Sequence, residues 1–181
     1  MDENKLITLA QKGDMLAFQT LLEQYQNKIY AIALRFCRNG EDAQDVAQEA
    51  AIKIYRALAR YHGRSAFSTW VYAITRNAAL DFLRKRSKMQ GREYSMEAGE
   101  FHMVLSENHS EDFVEQRERL KELLTLIEAL PGPQREILIL RDIDGYTYEE
   151  IAQILAINKG TVKSRLSRAR EVIRRYYLGE E

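Results

Sequence analysis

The sequence is poor in cysteine and proline, with one Cys and two Pro among 181 residues. A single Cys excludes an intramolecular disulfide framework and with it the disulfide-rich secreted class. No apolar run approaches the roughly 18 residues that a membrane-spanning helix needs. Residues 1–5 lack the basic and then apolar build of a signal peptide. We therefore expect a cytoplasmic protein that is not itself a membrane protein.

Residue patterns typical of catalysis or metal binding are also scarce. The three histidines, His62, His102 and His109, are scattered, and no phosphate-cradling glycine loop or nucleophile–base set stands out. We therefore expect no metal site, no cofactor and no enzymatic activity. Cys37 lies beside the apolar stripe of a predicted helix, so we interpret it as a packing residue and not as a redox switch.

Charge is balanced overall but unevenly placed. The chain has 27 basic and 27 acidic side chains, of which residues 1–90 carry 14 basic and 9 acidic, and residues 91–130 carry 4 and 10. Basic side chains concentrate in two stretches, 60–88 and 159–175. Such clusters are what a polyanion-binding surface requires, because each neutralised phosphate releases condensed counterions. An ordinary solvated helix face is the alternative explanation of a basic stretch.

Apolar residues recur at helical spacing in almost every segment, and no convincing strand alternation is present, so we predict an all-α fold. Residues 89–112 lose this periodicity and gather Gly, Ser, Asn and acids. So long a structureless loop is uncommon inside one compact domain and favours a flexible, acidic linker between two small helical bundles. We place the bundles at 1–88 and 113–181.

In the first bundle, the pattern predicts a long helix after the break at Gly13-Asp14, a second from about Glu41-Asp42, and a third from about Phe67 to Arg86. The second helix has Val46, Ala50 and Ile54 on its apolar face. Its opposite face is polar and, taken alone, is typical of ordinary solvated surface. It carries Asp45, Gln48, Glu49 and Lys53.

The loop before the third helix interleaves aromatic, basic and hydroxyl side chains. Such a mixture is typical of a platform where unstacked bases pack on rings and phosphates meet arginines. Phe67 and Trp70 are more simply explained as core residues. The better candidates for contact are Tyr61, His62 and Ser65.

In the second bundle, we expect a helix over about 134–141. Thr147 and Glu150 then form a predicted capping box that opens a short helix, and a basic helix follows. Two helices joined by a tight turn indicate a helix-turn-helix. On the last helix Val162, Leu166, Ala169 and Ile173 share one face and are predicted to be buried. The outward side then presents Gly160, Lys163, Ser164, Ser167 and Arg168, flanked at phosphate height by Arg165, Arg170 and Arg174.

Several motifs together resemble the extracytoplasmic-function (ECF) group of bacterial RNA polymerase sigma factors, over nearly the whole chain. They occur in that family's order, with a linker where the family has one. The motifs are residues 41–49, 63–77 with Asp81 and Arg84, Leu130-Pro131, 134–136, 140–142, Gly145, 148–152 and 160–170.

The resemblance implies a transcription initiation factor with two helical domains that bind core RNA polymerase and promoter DNA. By similarity, the polar face of Asp45, Gln48, Glu49 and Lys53 contacts the polymerase. The first domain captures the minus-ten element as it melts, and the last helix recognises the duplex minus-thirty-five element. The implied minus-ten residues are Tyr61, His62, Arg64, Ser65, Arg76, Asn77 and Arg84. The implied minus-thirty-five residues are Thr161, Lys163, Ser164, Arg165, Ser167 and Arg168.

The resemblance also implies an anti-sigma factor as a partner, often membrane-bound in the family. Two other classes compete with this interpretation. One is a stand-alone DNA-binding regulator that uses the helix-turn-helix and a dimerising N-terminal bundle, and it would bind duplex promoters without polymerase. The other is a nucleic-acid enzyme, which the missing catalytic motifs make the weaker alternative.

Overall fold

The computed structural model of the protein describes residues 2–37, 39–91 and 114–179. Within these ranges every regular element is helical and no strand occurs, so the all-α prediction is confirmed. The chain divides into two compact units, Met1–Tyr94 and Ser95–Glu181. The predicted linker at 89–112 falls largely outside the described residues, so its boundaries remain a prediction.

The first unit has four α-helices, and a short 3-10 turn, Leu58–Arg60, follows the third. The helices are α1 (Glu3–Gln11), α2 (Met15–Cys37), α3 (Gly40–Ala57) and α4 (Phe67–Met89). Side-chain caps fix two of the starts. Asp14 Oδ1 accepts from the backbone amides of Leu16 and Ala17, each at 3.0 Å, and Asn39 Oδ1 accepts from the amide of Asp42 at 2.8 Å. These caps satisfy amides that have no partner inside a helix.

The core of the first unit forms where α2, α3 and α4 pack against one another. The apolar face predicted for α3, with Val46, Ala50 and Ile54, is buried, and α2 buries Phe18 and Leu21 among others. Helix α4 contacts both α2 and α3, so two of its sides are buried rather than one. This arrangement leaves the outer side of α3 and the loop before α4 at the surface.

The second unit contains α5 (Val114–Ala129), α6 (Gly132–Leu138), α7 (Tyr148–Leu155) and α8 (Lys159–Leu178). Helix α6 begins two residues before the predicted start because Pro131 is its N-cap and Pro133 fits the first turn, where a missing amide costs nothing. It ends before Arg141, and a wider π-type turn, Ile139–Ile143, continues the path of the chain.

Helices α7 and α8 form the predicted helix-turn-helix. The capping box is present, with the amide of Glu150 donating to Thr147 Oγ1 and the amide of Thr147 donating to Glu150 Oε2. The turn passes through Ala156, whose φ of 53° is left-handed. Asn158 then caps α8 by accepting from the amide of Thr161 at 2.8 Å. Val162, Leu166 and Ala169 are buried as predicted, and Ile173 is half-buried.

None of the helices in the part of the chain that the structure describes is both long and apolar enough to cross a membrane. Among the same residues, no group of three or more His, Cys, Asp or Glu side chains is placed to hold a metal ion.

Candidate polymerase and nucleic-acid interfaces

The polar face of α3 lies at the surface as predicted. Asp45, Gln48 and Glu49 are exposed, while Val46 and Ala50 on the opposite side are buried. We call the three exposed residues the docking face. Positions three and four apart lie next to each other on a helix, so the three side chains form one continuous polar surface.

Lys53, the fourth residue of the predicted docking set, is also part of an ion pair between helices. Its Nζ lies 3.0 Å from Asp81 Oδ2 on α4 and 3.9 Å from Glu49 Oε1 on α3. Asp81 Oδ1 in turn lies 3.5 Å from Arg84 Nη1. The helical pattern could not reveal this contact, because Lys53 and Asp81 are 28 residues apart in the sequence.

The loop before α4 is held by Tyr61. Its hydroxyl donates to the carbonyl of Ser65 at 2.7 Å, and its own carbonyl accepts from Gln11 Nε2, also at 2.7 Å. The ring lies 5.2 Å from that of Phe67 and 5.1 Å from that of Trp70, between centroids. Burial, with a smaller effect from the negative charge of Glu3, raises the pKa of the Tyr61 hydroxyl. Tyr61 therefore fixes the loop and is only half-exposed.

The other predicted contacts of this loop are accessible. His62 and Arg64 are exposed and Ser65 is half-buried, while Phe67 is buried, as expected of a core residue. On α4, Asn77 and Arg84 are exposed. The loop and one side of α4 thus present polar and basic groups to solvent.

The implied role of Arg76 as a minus-ten contact requires an exposed side chain, and the structure contradicts it. Its side chain is only 8% exposed, and it follows Tyr72 by one helical turn on a buried face of α4. The reason is that α4 packs against both α2 and α3, so its buried sector is wider than a single apolar stripe. A long aliphatic stem lets arginine line such an interface. We leave Arg76 out of the surface available to DNA.

The outward side of α8 has the expected composition. Lys163, Ser164, Ser167 and Arg168 are exposed, and Thr161 and Arg165 are half-exposed. The capped start of α8 orders the first of these residues, and Ser164 Oγ donates to the carbonyl of Thr161 at 3.1 Å. Small hydroxyl side chains beside long basic ones leave room for close approach to base edges.

Two of the three arginines predicted to flank this surface already have acidic neighbours. Arg170 pairs with Asp142 of the turn after α6, and Arg174 pairs with Glu171. At the start of the helix, Lys159 pairs with Glu149 of α7. The hydrogen bond from Lys159 lowers the pKa of Glu149, and bonds from Arg174 and Arg175 lower the pKa of Glu171. Helical spacing indicates Glu171 as a partner, but not Asp142 or Glu149, which lie 28 and 10 residues from theirs in the sequence.

A shallow cleft of about 400 Å³ lies beside the same helix. Tyr148 of α7 lines it together with Lys163, Ser167 and Arg170 of α8. The guanidinium of Arg141 sits over the Tyr148 ring, 5.1 Å from its centroid, which is a cation–π contact. The sequence places Tyr148 at the start of a helix and within a motif of the resemblance, but it does not predict this contact with Arg141.

Two basic helical surfaces on separate units, one of them a helix-turn-helix, define a nucleic-acid-binding protein. Comparison with family models gives the family. A model of sigma-70 region 2 matches residues 21–89, and a model of sigma-70 region 4 matches residues 120–173. Together these matches cover more than half of the chain, one in each unit.

Relatives are similar over nearly the whole chain. The chain is 39% identical over 178 residues to the ECF RNA polymerase sigma-E factor of Escherichia coli strain K12, covering 96% of this chain and 93% of that protein. It is 38% identical over 179 residues to the RNA polymerase sigma-H factor of Pseudomonas aeruginosa, covering 94% and 91%. The chain therefore belongs to the ECF group of the sigma-70 family.

Solved structures of similar fold include RpoE in complex with the anti-sigma factor NepR from Bartonella quintana. That match has a TM-score of 0.65 at 25% identity, over 90% of this chain and 96% of that one. The structure of CnrH with the cytosolic domain of CnrY matches with a TM-score of 0.64 at 20% identity, over 99% of each chain, which supports the fold alone.

The protein is accordingly a transcription initiation factor that binds core RNA polymerase and directs it to specific promoters. The unit matched by region 2 recognises the minus-ten element, and the helix-turn-helix of region 4 recognises the minus-thirty-five element.

Proposed function

We propose that the docking face, Asp45, Gln48 and Glu49, with Lys53 at its edge, is the main contact of this protein with core RNA polymerase. The observation that carries this proposal is that the three polar residues lie together at the surface of one helix whose other side is fixed in the core. Such a rigid support favours binding, because the backbone of the helix loses little conformational freedom on association.

The loop and α4 supply the residues that we assign to the minus-ten element. They are Tyr61, His62, Arg64, Ser65, Asn77 and Arg84. Because Tyr61 holds the loop in place, His62 and Arg64 are presented without a loop rearrangement. Extracting a base from the stack costs a few kcal/mol, and a preformed surface for the extruded base offsets part of that cost.

The start of α8 supplies the residues that we assign to the minus-thirty-five element. They are Thr161, Lys163, Ser164, Arg165, Ser167 and Arg168. Arginine and lysine side chains suit guanine edges and phosphates, and hydroxyl groups suit several bases.

We further propose an anti-sigma partner that holds the protein inactive. Support comes from the relative RpoE, whose structure contains the anti-sigma factor NepR. Exposed apolar side chains at the end of α8, namely Val172, Tyr176, Tyr177 and Leu178, offer surface for a protein partner. We place the protein in the cytoplasm, where the polymerase acts, and assign it no enzymatic activity.

Affinity for core polymerase tests the docking face. We expect Gln48→Ala with Glu49→Ala to lower the affinity at least about tenfold, or 1.4 kcal/mol. A matched control is Glu23→Ala with Gln24→Ala, which removes the same two group types from the exposed side of α2. Unchanged helicity shows that the variant is folded. Equal affinities for the two variants would exclude the assignment.

A further inference from the structure

The last residue of α1, Gln11, is hydrogen-bonded to the segment that leads into the loop before α4. Gln11 Nε2 donates to the carbonyl of Leu58 at 3.0 Å and to the carbonyl of Tyr61 at 2.7 Å. The Leu58 carbonyl also accepts from the amide of Tyr61 at 3.0 Å. A primary amide has two N–H donors, so Gln11 can make both of its bonds at once. One side chain of α1 thus joins the 3-10 turn to the first residue of the loop.

Helix α1 gives Gln11 a fixed position. The helix contacts both α2 and the 3-10 turn after α3. At its start, Glu3 Oε2 accepts from the hydroxyl of Tyr25 on α2 at 2.5 Å. Its inner side buries Leu6, Ile7 and Ala10. The Gln11 amide therefore reaches the two carbonyls from an element that is itself held in the core.

The loop is held at both ends of one residue. The carbonyl of Tyr61 accepts from Gln11, and the hydroxyl of Tyr61 donates to the carbonyl of Ser65 at 2.7 Å. Between these two points lie His62 and Arg64, whose side chains are exposed. The path of the chain past His62 and Arg64 is thus set by Gln11 at its start and by the Tyr61 hydroxyl at its end.

We propose that Gln11 is a positioning residue for recognition of the minus-ten element. By holding the carbonyl of Tyr61, it keeps the loop in the conformation that presents His62 and Arg64 to the unpaired strand. Without these bonds the loop samples other conformations, and the apparent affinity for DNA falls with the fraction of molecules whose loop is in place. The inference rests on the proposed roles of His62 and Arg64.

Gln11→Met tests the proposal, because it keeps the length of the side chain and removes its two donors. The probe is a single-stranded oligonucleotide with the minus-ten region of a promoter that the polymerase complex transcribes. We expect the affinity of the complex of full-length protein and core polymerase to fall about threefold to tenfold, the range that a typical intramolecular hydrogen bond controls. The matched control is Gln19→Met on the exposed side of α2, which should leave this affinity unchanged.

A background without the loop contacts separates positioning from a general loss of stability. In a variant with His62→Ala and Arg64→Ala, Gln11→Met should lower the affinity at most about twofold further, which is the ordinary scatter of independent substitutions. General destabilisation would lower it by the full factor in either background.

The fluorescence of Trp70 reports on the loop without DNA. Trp70 is the single tryptophan of the chain, and the centroid of its ring lies 5.1 Å from that of Tyr61. We expect Gln11→Met to raise the quenching of Trp70 by acrylamide in the free protein, because the Tyr61 ring is no longer held beside it. Gln11→Glu, which has the same shape but no N–H donor when ionised, should do the same and serves if Gln11→Met lowers the helicity.

Three outcomes would overturn the proposal. They are an affinity of Gln11→Met equal to that of Gln19→Met, a full loss that persists without His62 and Arg64, and unchanged quenching of Trp70 in both Gln11 variants. Failure of the proposed function is distinguishable. In that case His62→Ala with Arg64→Ala would leave the affinity for the minus-ten strand unchanged, although Gln11→Met still raises the quenching of Trp70.

Discussion

The guanidinium of Arg170 on α8 donates two hydrogen bonds to the carboxylate of Asp142. Arg170 Nε lies 3.0 Å from Oδ2, and Nη2 lies 2.5 Å from Oδ1. Asp142 belongs to the π-type turn after α6, so the pair fixes α8 to the rest of the second unit. A planar guanidinium can make this two-pointed contact, whereas an ammonium group cannot.

Arg170→Lys should therefore lower the free energy of unfolding of the protein by about 0.5 to 1 kcal/mol, because a half-exposed bidentate pair contributes about that much. The change in the free energy of unfolding is measured by urea denaturation, with the circular dichroism of the helices as the signal. The matched control is Arg175→Lys, since Arg175, among the residues that the structure describes, pairs within α8 with Glu171. Equal effects of the two substitutions would argue against a special role for the bidentate pair.

Arg168 on the exposed side of α8 should recognise a base. Arg168→Ala is expected to cost about 1 to 3 kcal/mol of binding at the preferred minus-thirty-five sequence and less at sequences altered at one position. Affinity of the polymerase complex for a set of promoter duplexes gives these values, with Arg175→Ala as the control for lost charge. An equal loss on every sequence would identify Arg168 as a phosphate contact instead.

A substitution at Ala156, in the turn of the helix-turn-helix, should stabilise the protein. Its left-handed backbone, with φ 53° and ψ 43°, strains any residue that has a Cβ. Ala156→Gly should raise the free energy of unfolding by about 0.5 to 1 kcal/mol. Ala152→Gly, inside α7, should lower it by about 1 kcal/mol. Urea denaturation measures the free energy of unfolding of both variants. A lower value for Ala156→Gly would contradict the interpretation that the backbone at Ala156 is strained.

Cys37 should behave as a buried packing residue. Burial, followed by the negative charge of Asp42, raises the pKa of its thiol to about 12, and Arg86 opposes the shift. We expect thiol reagents at pH 8 to react with Cys37 only as fast as the protein unfolds, since the thiolate is the reactive form. Reaction of the native protein as fast as in denaturant would contradict the burial of Cys37.

The raised pKa of Cys37 also predicts how the stability of the protein changes with pH. A thiol whose folded pKa lies above its ordinary value of 9.0 stabilises the fold fully below pH 9. That contribution is lost as the pH rises from about 9 to about 12. Comparing the alkaline stability of the protein with that of Cys37→Ala isolates it.

The two-unit helical fold could be predicted because amphipathic spacing and caps act locally. The capping box of Thr147 and Glu150, for example, depends on two residues three positions apart, and both of its hydrogen bonds are present. Arg76 could not be placed correctly, because its burial depends on α4 packing against two helices at once. The pairing of Lys53 with Asp81 is likewise set by tertiary packing and leaves no periodic signal.

Run-off transcription with purified bacterial core RNA polymerase, on a library of promoter fragments, tests the central claim most directly. We predict discrete transcripts that appear only when this protein is added, and that weaken when Gln48 and Glu49 are both replaced by alanine. No new transcripts, together with no detectable binding to core polymerase, would contradict the account and favour a regulator that binds duplex DNA by itself.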